Sequence, residues 1–222
     1  NQDAFLGVAR DISERKLAEK LRDALYQISE TVNLCANLDE MYAAVHHIIS
    51  GFVKADNFFI ALYDESTSLL TYPYYIDQYD TPPKPEQFEH GLTEYVIRSG
   101  KPLMAPLTLQ KALRASGAVR KVGTDSLDWL GIPLRTTDNR ILGALVVQSY
   151  QEGFTYNQRD KDILLFVSSQ VAMAIDRKRA QEQLRYFSSH DGLTGFFNRA
   201  YFEKQLQLLQ HEPPMRAIIV CD

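Results

Sequence analysis

The chain has 222 residues, 45% hydrophobic and 23% charged, an ordinary globular composition that excludes a disordered or fibrous polypeptide. With 24 Lys and Arg against 28 Asp and Glu, the formal net charge of −4 gives no electrostatic reason to bind nucleic acid. Apolar runs such as residues 142–147 fall far short of the ~20 residues that a spanning helix needs, so no membrane segment is expected. Cys35 and Cys221 lie far apart with no CxxC spacing, which argues against a disulfide framework and for a cytoplasmic protein. Residues 1–8 read as the middle of a longer chain and 215–222 as a strand cut short, as expected of a piece of a larger protein.

In chain order, residues 5–10 read as a strand ended by Asp11, and Ser13 caps a helix from about residue 14. Leu17, Leu21, Ala24, Ile28, Thr31 and Cys35 recur there at alternating four- and three-residue steps, a seven-residue repeat. That narrow stripe suits either a helix lying on its own domain or a dimer seam. Asn37 or Asp39 starts a second helix to about Phe52, with Met41, Val45, Ile48, Ile49 and Phe52 on one face. Strands over 57–63 and 69–76 follow, joined by a hairpin loop at 64–68. Pro82, Pro83 and Pro85 make 80–86 irregular. A helix over 89–99 stops at Gly100, a short strand fits 102–105, and a brief helix fits 108–114. Residues 116–124 read as a mobile loop. Two stronger strands, 129–135 and 141–150, are joined by the tight turn 136–139. Thr155 then caps a long helix over about 158–187. Its stripe is apolar early (Ile163, Val167, Val171, Ala174) and more polar late (Gln181 before Leu184), so the helix packs first and then projects. The sum is an α+β sandwich, helices flanking an antiparallel sheet.

The run Gly91-Leu92-Thr93-Glu94-Tyr95-Val96-Ile97-Arg98-Ser99-Gly100-Lys101-Pro102-Leu103 resembles the GAF sensory-domain family. So do Trp129-Leu130-Gly131-Ile132-Pro133-Leu134, the strand 141–149, Phe154-Thr155 with Asp160, and Ala172-Met173-Ala174-Ile175. The resemblance covers about residues 25–182. It implies a six-stranded antiparallel sheet sandwiched by helices, a ligand-sized cavity on one face, and long N- and C-terminal linker helices. Residues 7–16 (GVARDISERK) resemble the end of a PAS domain and its exit linker. His190-Asp191-Gly192-Leu193-Thr194-Gly195-Phe196-Phe197-Asn198-Arg199 resembles the opening motif of GGDEF domains, the diguanylate cyclases, with Phe196 where Leu is usual.

The implied organisation is a PAS end at 1–12, a linker helix at 13–36, a GAF domain at 25–182, the end of a signalling helix at 183–189, and a truncated GGDEF start at 190–222. The last of these resemblances makes Asp222 the first metal-binding aspartate, relevant only in an intact, Mg-dependent cyclase domain. No GGDEF loop is present, and two-metal phosphoryl transfer needs further carboxylates, so these residues by themselves are expected to be non-catalytic. Asp191, Thr194, Asn198 and Arg199 match the motif and are assigned to signal coupling, with Asp191 and Arg199 bonded across the turn.

Among residues suited to chemistry, Ser189-His190-Asp191 superficially resembles a histidine-kinase phosphoacceptor box, but Gly192 and Gly195 each weaken a helix by about 1 kcal/mol. His46 and His47 are adjacent, about 100° apart on a helix, and cannot share a metal. Tyr72, Tyr74, Tyr75, Tyr79 and Trp129 cluster on the implied pocket strands, where aromatics with polar tips suit either a small-molecule site or a half-buried sheet. The candidate pocket residues are Tyr72, Tyr74, His90, Tyr95, Met104 and Trp129. Cys35 lies outside any pocket loop, which disfavours a thioether-linked bilin, and the residue set of cyclic-GMP-binding relatives is missing. No cofactor is expected in these residues; the pocket either takes an unidentified small-molecule effector or stays empty. The expected partner is a second copy of the chain, paired through the terminal helices, with Lys178, Gln181 and Arg185 keeping the seam weak. The alternatives are an unliganded dimerisation spacer, or a regulator of a degenerate GGDEF domain with a phosphodiesterase further along.

Overall fold

The computed structural model describes residues 22–209, apart from 24, 25, 33, 36 and 193. The chain divides into two compact units, residues 1–175 and 176–222. The expected PAS end, most of the linker helix, the strand at 216–222 and Asp222 lie outside the described residues.

In the first unit, α1 (Leu38–Ile49) begins where Asn37 Oδ1 accepts the Glu40 N–H at 2.8 Å, so Asn37 is the cap. Six strands follow: β1 (Asn57–Asp64), β2 (Leu69–Ile76), β3 (Glu86–Gln87), β4 (Leu103–Pro106), β5 (Asp128–Arg135) and β6 (Ile141–Ser149). They pair antiparallel in the order β3-β2-β1-β6-β5-β4. Helix α2 (Leu92–Ser99) connects β3 to β4, and α3 (Leu107–Ala115) follows β4. The start expected at residue 89 is later because the chain stays extended through Gly91, the N-cap. Helix α4 (Gln158–Ser189) closes the sandwich.

Strand alternation sends two sets of side chains to opposite faces. Phe58, Ile60, Leu130, Ile132, Leu145 and Val147 form one core with Val45 and Ile49 of α1 and Leu164, Val167 and Val171 of α4. Each such fully buried aliphatic or aromatic side chain contributes about 1.5–3 kcal/mol. Residues 26–32 are helical and add Ile28 and Val32 to this core. Phe59, Ala61, Leu70, Trp129, Ala144 and Val146 form the other core with Val96 and Ile97 of α2.

Two local features depart from the sequence expectation. Asn157, not Thr155, caps α4: its Oδ1 accepts the N–H of Arg159 at 2.8 Å and of Asp160 at 3.2 Å, while Asp160 Oδ2 accepts the Asn157 N–H at 2.9 Å. This reciprocal box satisfies donors that a lone threonine two residues earlier does not reach. On β2, Thr71 pairs with Leu62 and Tyr74 with Ile60, so Tyr72 and Pro73 together oppose Ala61. Proline has no N–H for the ladder, and the β-bulge absorbs it.

In the second unit, α4 has no buried residue after Ile175 and runs on to Ser189. The chain then turns through an isolated bridge between His190 and Phe197 into α5 (Arg199–Leu209).

Candidate functional site

The sheet face carrying Phe59, Tyr72, Tyr75 and Trp129 opens into a cavity of about 520 Å³, a size suited to a small molecule. Its walls are the first turn of α2, the proline-rich segment 80–86, the segment 120–126, and Gln110 and Arg114 of α3. Two bridges hold the wall segments. Asp80 accepts the Thr124 N–H at 2.8 Å and its hydroxyl at 2.9 Å, and the Arg120 N–H donates to the His90 carbonyl at 2.7 Å. Residues 116–124, expected to be a mobile loop, are thereby pinned into the wall. Gly123, at φ 67°, makes room: a Cβ there would lie 2.6 Å from Asp80 Oδ2.

Most polar groups around the cavity are engaged. The Tyr72 hydroxyl donates to Glu86 at 2.7 Å. Burial, then that bond and the nearby Glu86, Glu94 and Tyr75, push the Tyr72 phenol far above the ordinary range, so it stays a donor. Burial and the charges of Asp77, Asp80 and Glu86 raise Tyr75 likewise. Gln148 Nε2 donates to Asp77 at 2.6 Å. Gln110, which is buried, donates to the carbonyls of Ala105 at 2.9 Å and Ser126 at 3.2 Å. Arg114 pairs with Asp125 at 2.7 Å. Among the described residues no cluster of His, Cys, Asp or Glu is arranged to hold a metal ion.

Of the sequence candidates, Tyr72 and Trp129 line the cavity. Tyr74 and Met104 do not: both pack against the helical core on the other face. Strict alternation would put Tyr72 and Tyr74 together, but the bulge at Tyr72 and Pro73 reverses the parity and brings Tyr75 to the cavity instead. Tyr74 Oη lies 2.9 Å from His46 Nδ1, whose Nε2 is 2.7 Å from the Ala55 carbonyl. A carbonyl only accepts, so His46 Nε2 is the donor of that bond. Met104 alternates away from Leu103 and Ala105 on β4. His90 is exposed and contributes only its carbonyl, while Tyr95 lies outside the cavity lining. Tyr79 is also exposed, edge-on to Tyr150 with ring centroids 4.6 Å apart.

The residues assigned to signal coupling form a tight turn. Asp191 Oδ1 accepts the Thr194 N–H and hydroxyl, both at 2.9 Å, and Gly195 takes φ 70°. Asn198 Nδ2 donates to the Ser188 carbonyl at 3.0 Å, and its Oδ1 accepts the Tyr201 N–H at 2.9 Å. Arg199 Nε reaches Glu203 at 2.7 Å. His190 stacks on Tyr186 with centroids 4.0 Å apart.

Sequence reasoning missed Glu94, Gln110, Asp80 and the 120–126 wall. For Glu94 a signal existed: it stands three residues before Ile97, on the stripe that α2 turns to the sheet.

An antiparallel six-stranded sheet with helices packed on both faces, and a walled cavity on the face that carries α2, define an α+β sandwich domain. The sequence profile described as GAF domain matches residues 35–176, more than half of the chain, and the protein belongs to that family. GAF domains are typically sensory or regulatory modules and generally non-catalytic. Among solved structures, the GAF domain of a phosphoenolpyruvate-protein phosphotransferase from Coxiella burnetii is 20% identical, with a TM-score of 0.62, covering 75% of this chain and 98% of that one. The corresponding Acinetobacter domain is 18% identical at TM-score 0.60, covering 73% and 97%. The GAF domain of a putative sensor histidine kinase from Pseudomonas syringae pv. tomato is 16% identical at TM-score 0.52, covering 78% and 95%. At these identities the likeness is one of fold. No curated protein matches.

Proposed function

We propose that the protein is the sensory GAF domain of a cytoplasmic, bacterial-type signalling protein that controls a diguanylate cyclase through dimeric linker helices. The observation that carries this reading is the single 32-residue helix α4, whose first turns belong to the sheet's core and whose last turns lead into the clasped turn at 190–198. Residues 1–12 then belong to a PAS end and 190–222 to the start of a GGDEF domain, as the motif around Asp191, Thr194, Asn198 and Arg199 suggests. Two parallel α4 helices would set two cyclase domains side by side, as condensation of two GTP molecules requires. An occupant of the cavity shifts that pairing only by its differential affinity for the two packings. The walled cavity favours this over an unliganded spacer, because a spacer needs no open pocket.

The test is to incubate the full-length parent protein with GTP and Mg²⁺ and follow cyclic di-GMP by mass spectrometry, beside residues 1–222 alone. The parent should convert GTP and the shorter chain should not. A parent that makes no cyclic di-GMP, or one whose following residues encode a kinase transmitter, overturns the cyclase assignment.

A further inference from the structure

Glu94 is the third residue of α2, lines the cavity, and is only 5% exposed. Among the described residues no group donates a hydrogen bond to its carboxylate and no cation pairs with it. Neither oxygen is sealed from the cavity. Gly91 leaves the space it fills, since a Cβ there would stand 2.5 Å from Glu94 Oε2.

The other charges facing the cavity are Asp80, Glu86, Lys84, Arg114 and Arg120. Thr124 holds Asp80, Tyr72 holds Glu86, and Arg114 is on Asp125. Arg120 is exposed, 3.5 Å from Glu89, and Lys84 is exposed on the proline-rich segment. None of these cations neutralises Glu94. The partial positive charge at the start of α2 offsets part of its cost, but burying a carboxylate without a full counter-charge is unfavourable.

Aromatic rings line the same cavity. Phe59 stacks on Tyr75 with centroids 5.2 Å apart and meets Tyr72 edge-on at 5.9 Å, and Trp129 completes the floor. Aromatic faces are electron-rich and attract cations, most strongly where water is excluded. A bare carboxylate over such a floor is complementary to a positive charge carried on an apolar body.

We propose that the cavity binds a small organic cation bearing an ammonium or quaternary ammonium group, with Glu94 as its counter-charge and Phe59, Tyr72, Tyr75 and Trp129 as its walls. This rests on reading the cavity as the sensory site.

Residues 1–222 are titrated by calorimetry with choline and with putrescine, each beside a neutral analogue of the same shape. For choline, a tert-butyl group replaces the trimethylammonium; for putrescine, the analogue is the diol of equal length. At least one cation should bind about tenfold more tightly than its analogue, a difference of about 1.4 kcal/mol. Glu94→Gln, which keeps the shape, should erase that preference while leaving the far-ultraviolet circular dichroism unchanged. Trp129 is the only tryptophan, so its fluorescence reports occupancy in the unaltered protein even if the variant misfolds. Equal binding of cation and analogue, absence of binding by both cations, or an unchanged preference in a folded Glu94→Gln protein overturns the proposal. These readouts involve no cyclase, so their failure leaves the signalling assignment standing, and a parent without cyclase activity leaves the binding result standing.

Discussion

The indole of Trp129 lies across Gly131 on β5, so close that a Cβ on Gly131 would stand 2.2 Å from the ring. Both residues point to the cavity face, two apart on a regular strand, and the glycine lets the ring lie flat as floor. Gly131→Ala must tilt the indole into the cavity, and overpacking of this kind costs about 1–3 kcal/mol. The variant should unfold at lower urea concentration, and its single-tryptophan emission should shift toward the red as the ring meets water. Unchanged emission in a folded variant would show that the ring is not held there.

Gly143 presents the same deletion against a harder obstacle. A Cβ there would lie 1.9 Å from the Ala61 carbonyl oxygen, and this neighbour is backbone in the central β1–β6 pair. A side chain can rotate away; a paired strand cannot without losing ladder hydrogen bonds. Gly143→Ala should therefore destabilise more than Gly131→Ala, by upward of about 3 kcal/mol. Paired urea melts check the order, and the reverse order would contradict this strand packing.

The contrast between the two glycines also bears on what the residues disclosed in advance. Strand identity was legible because β1, β5 and β6 are long apolar runs, and the Thr136-to-Asn139 turn was legible because Asn139 tolerates the φ of 74° it adopts. Which face each residue takes was legible only where alternation is unbroken. The bulge at Tyr72 and Pro73 depends on pairing with Ala61, a contact across the sheet that local periodicity does not encode. The cavity walls were hidden for a related reason. Asp80 and Thr124 are far apart in the chain, and nothing near either one announces their bond. Glu94 sits inside the GAF-like motif at 91–103, and its burial follows from how α2 packs on the sheet rather than from the motif itself.

The acid limb of stability has a traceable source in the β5–β6 turn. The Thr136 hydroxyl, and next Arg140, hold the Asp138 carboxyl down to about 2. A carboxyl lowered by folding contributes stability above its ordinary value of 3.8, and that contribution is lost as pH falls toward 2. Asp64, lowered first by the Ser66 hydroxyl, acts with the same sign. Asp128 acts oppositely: burial raises its carboxyl despite the N–H donors of Tyr156 and Trp129, so its contribution fades as pH rises through its ordinary and folded values. Asp138→Asn should flatten the fall in Tm between about pH 4 and 2 without abolishing it, because Asp64 remains. Thermal melts across that range decide it, and an unaltered slope would remove Asp138 from the account.

The late turns of α4 carry the remaining prediction. Leu184 is 69% exposed and Phe187 63%, three residues apart and so neighbours on one helix face. Exposed apolar pairs on a helix suit a partner helix, and under the dimer proposal that partner is the same face of a second copy. Under the same proposal Lys178, Gln181 and Arg185 would interrupt the stripe and hold the association down to a level a ligand can shift. Changing Leu184 and Phe187 together to Glu places like charges across the seam and removes apolar burial worth about 1.5–3 kcal/mol per side chain. The dimer dissociation constant should rise at least tenfold by light scattering. The fold of the first unit should survive, because neither residue contributes to its core. A protein that stays monomeric at every concentration, or a double variant that dimerises as well as the parent, would leave α4 with no seam through which to carry a signal.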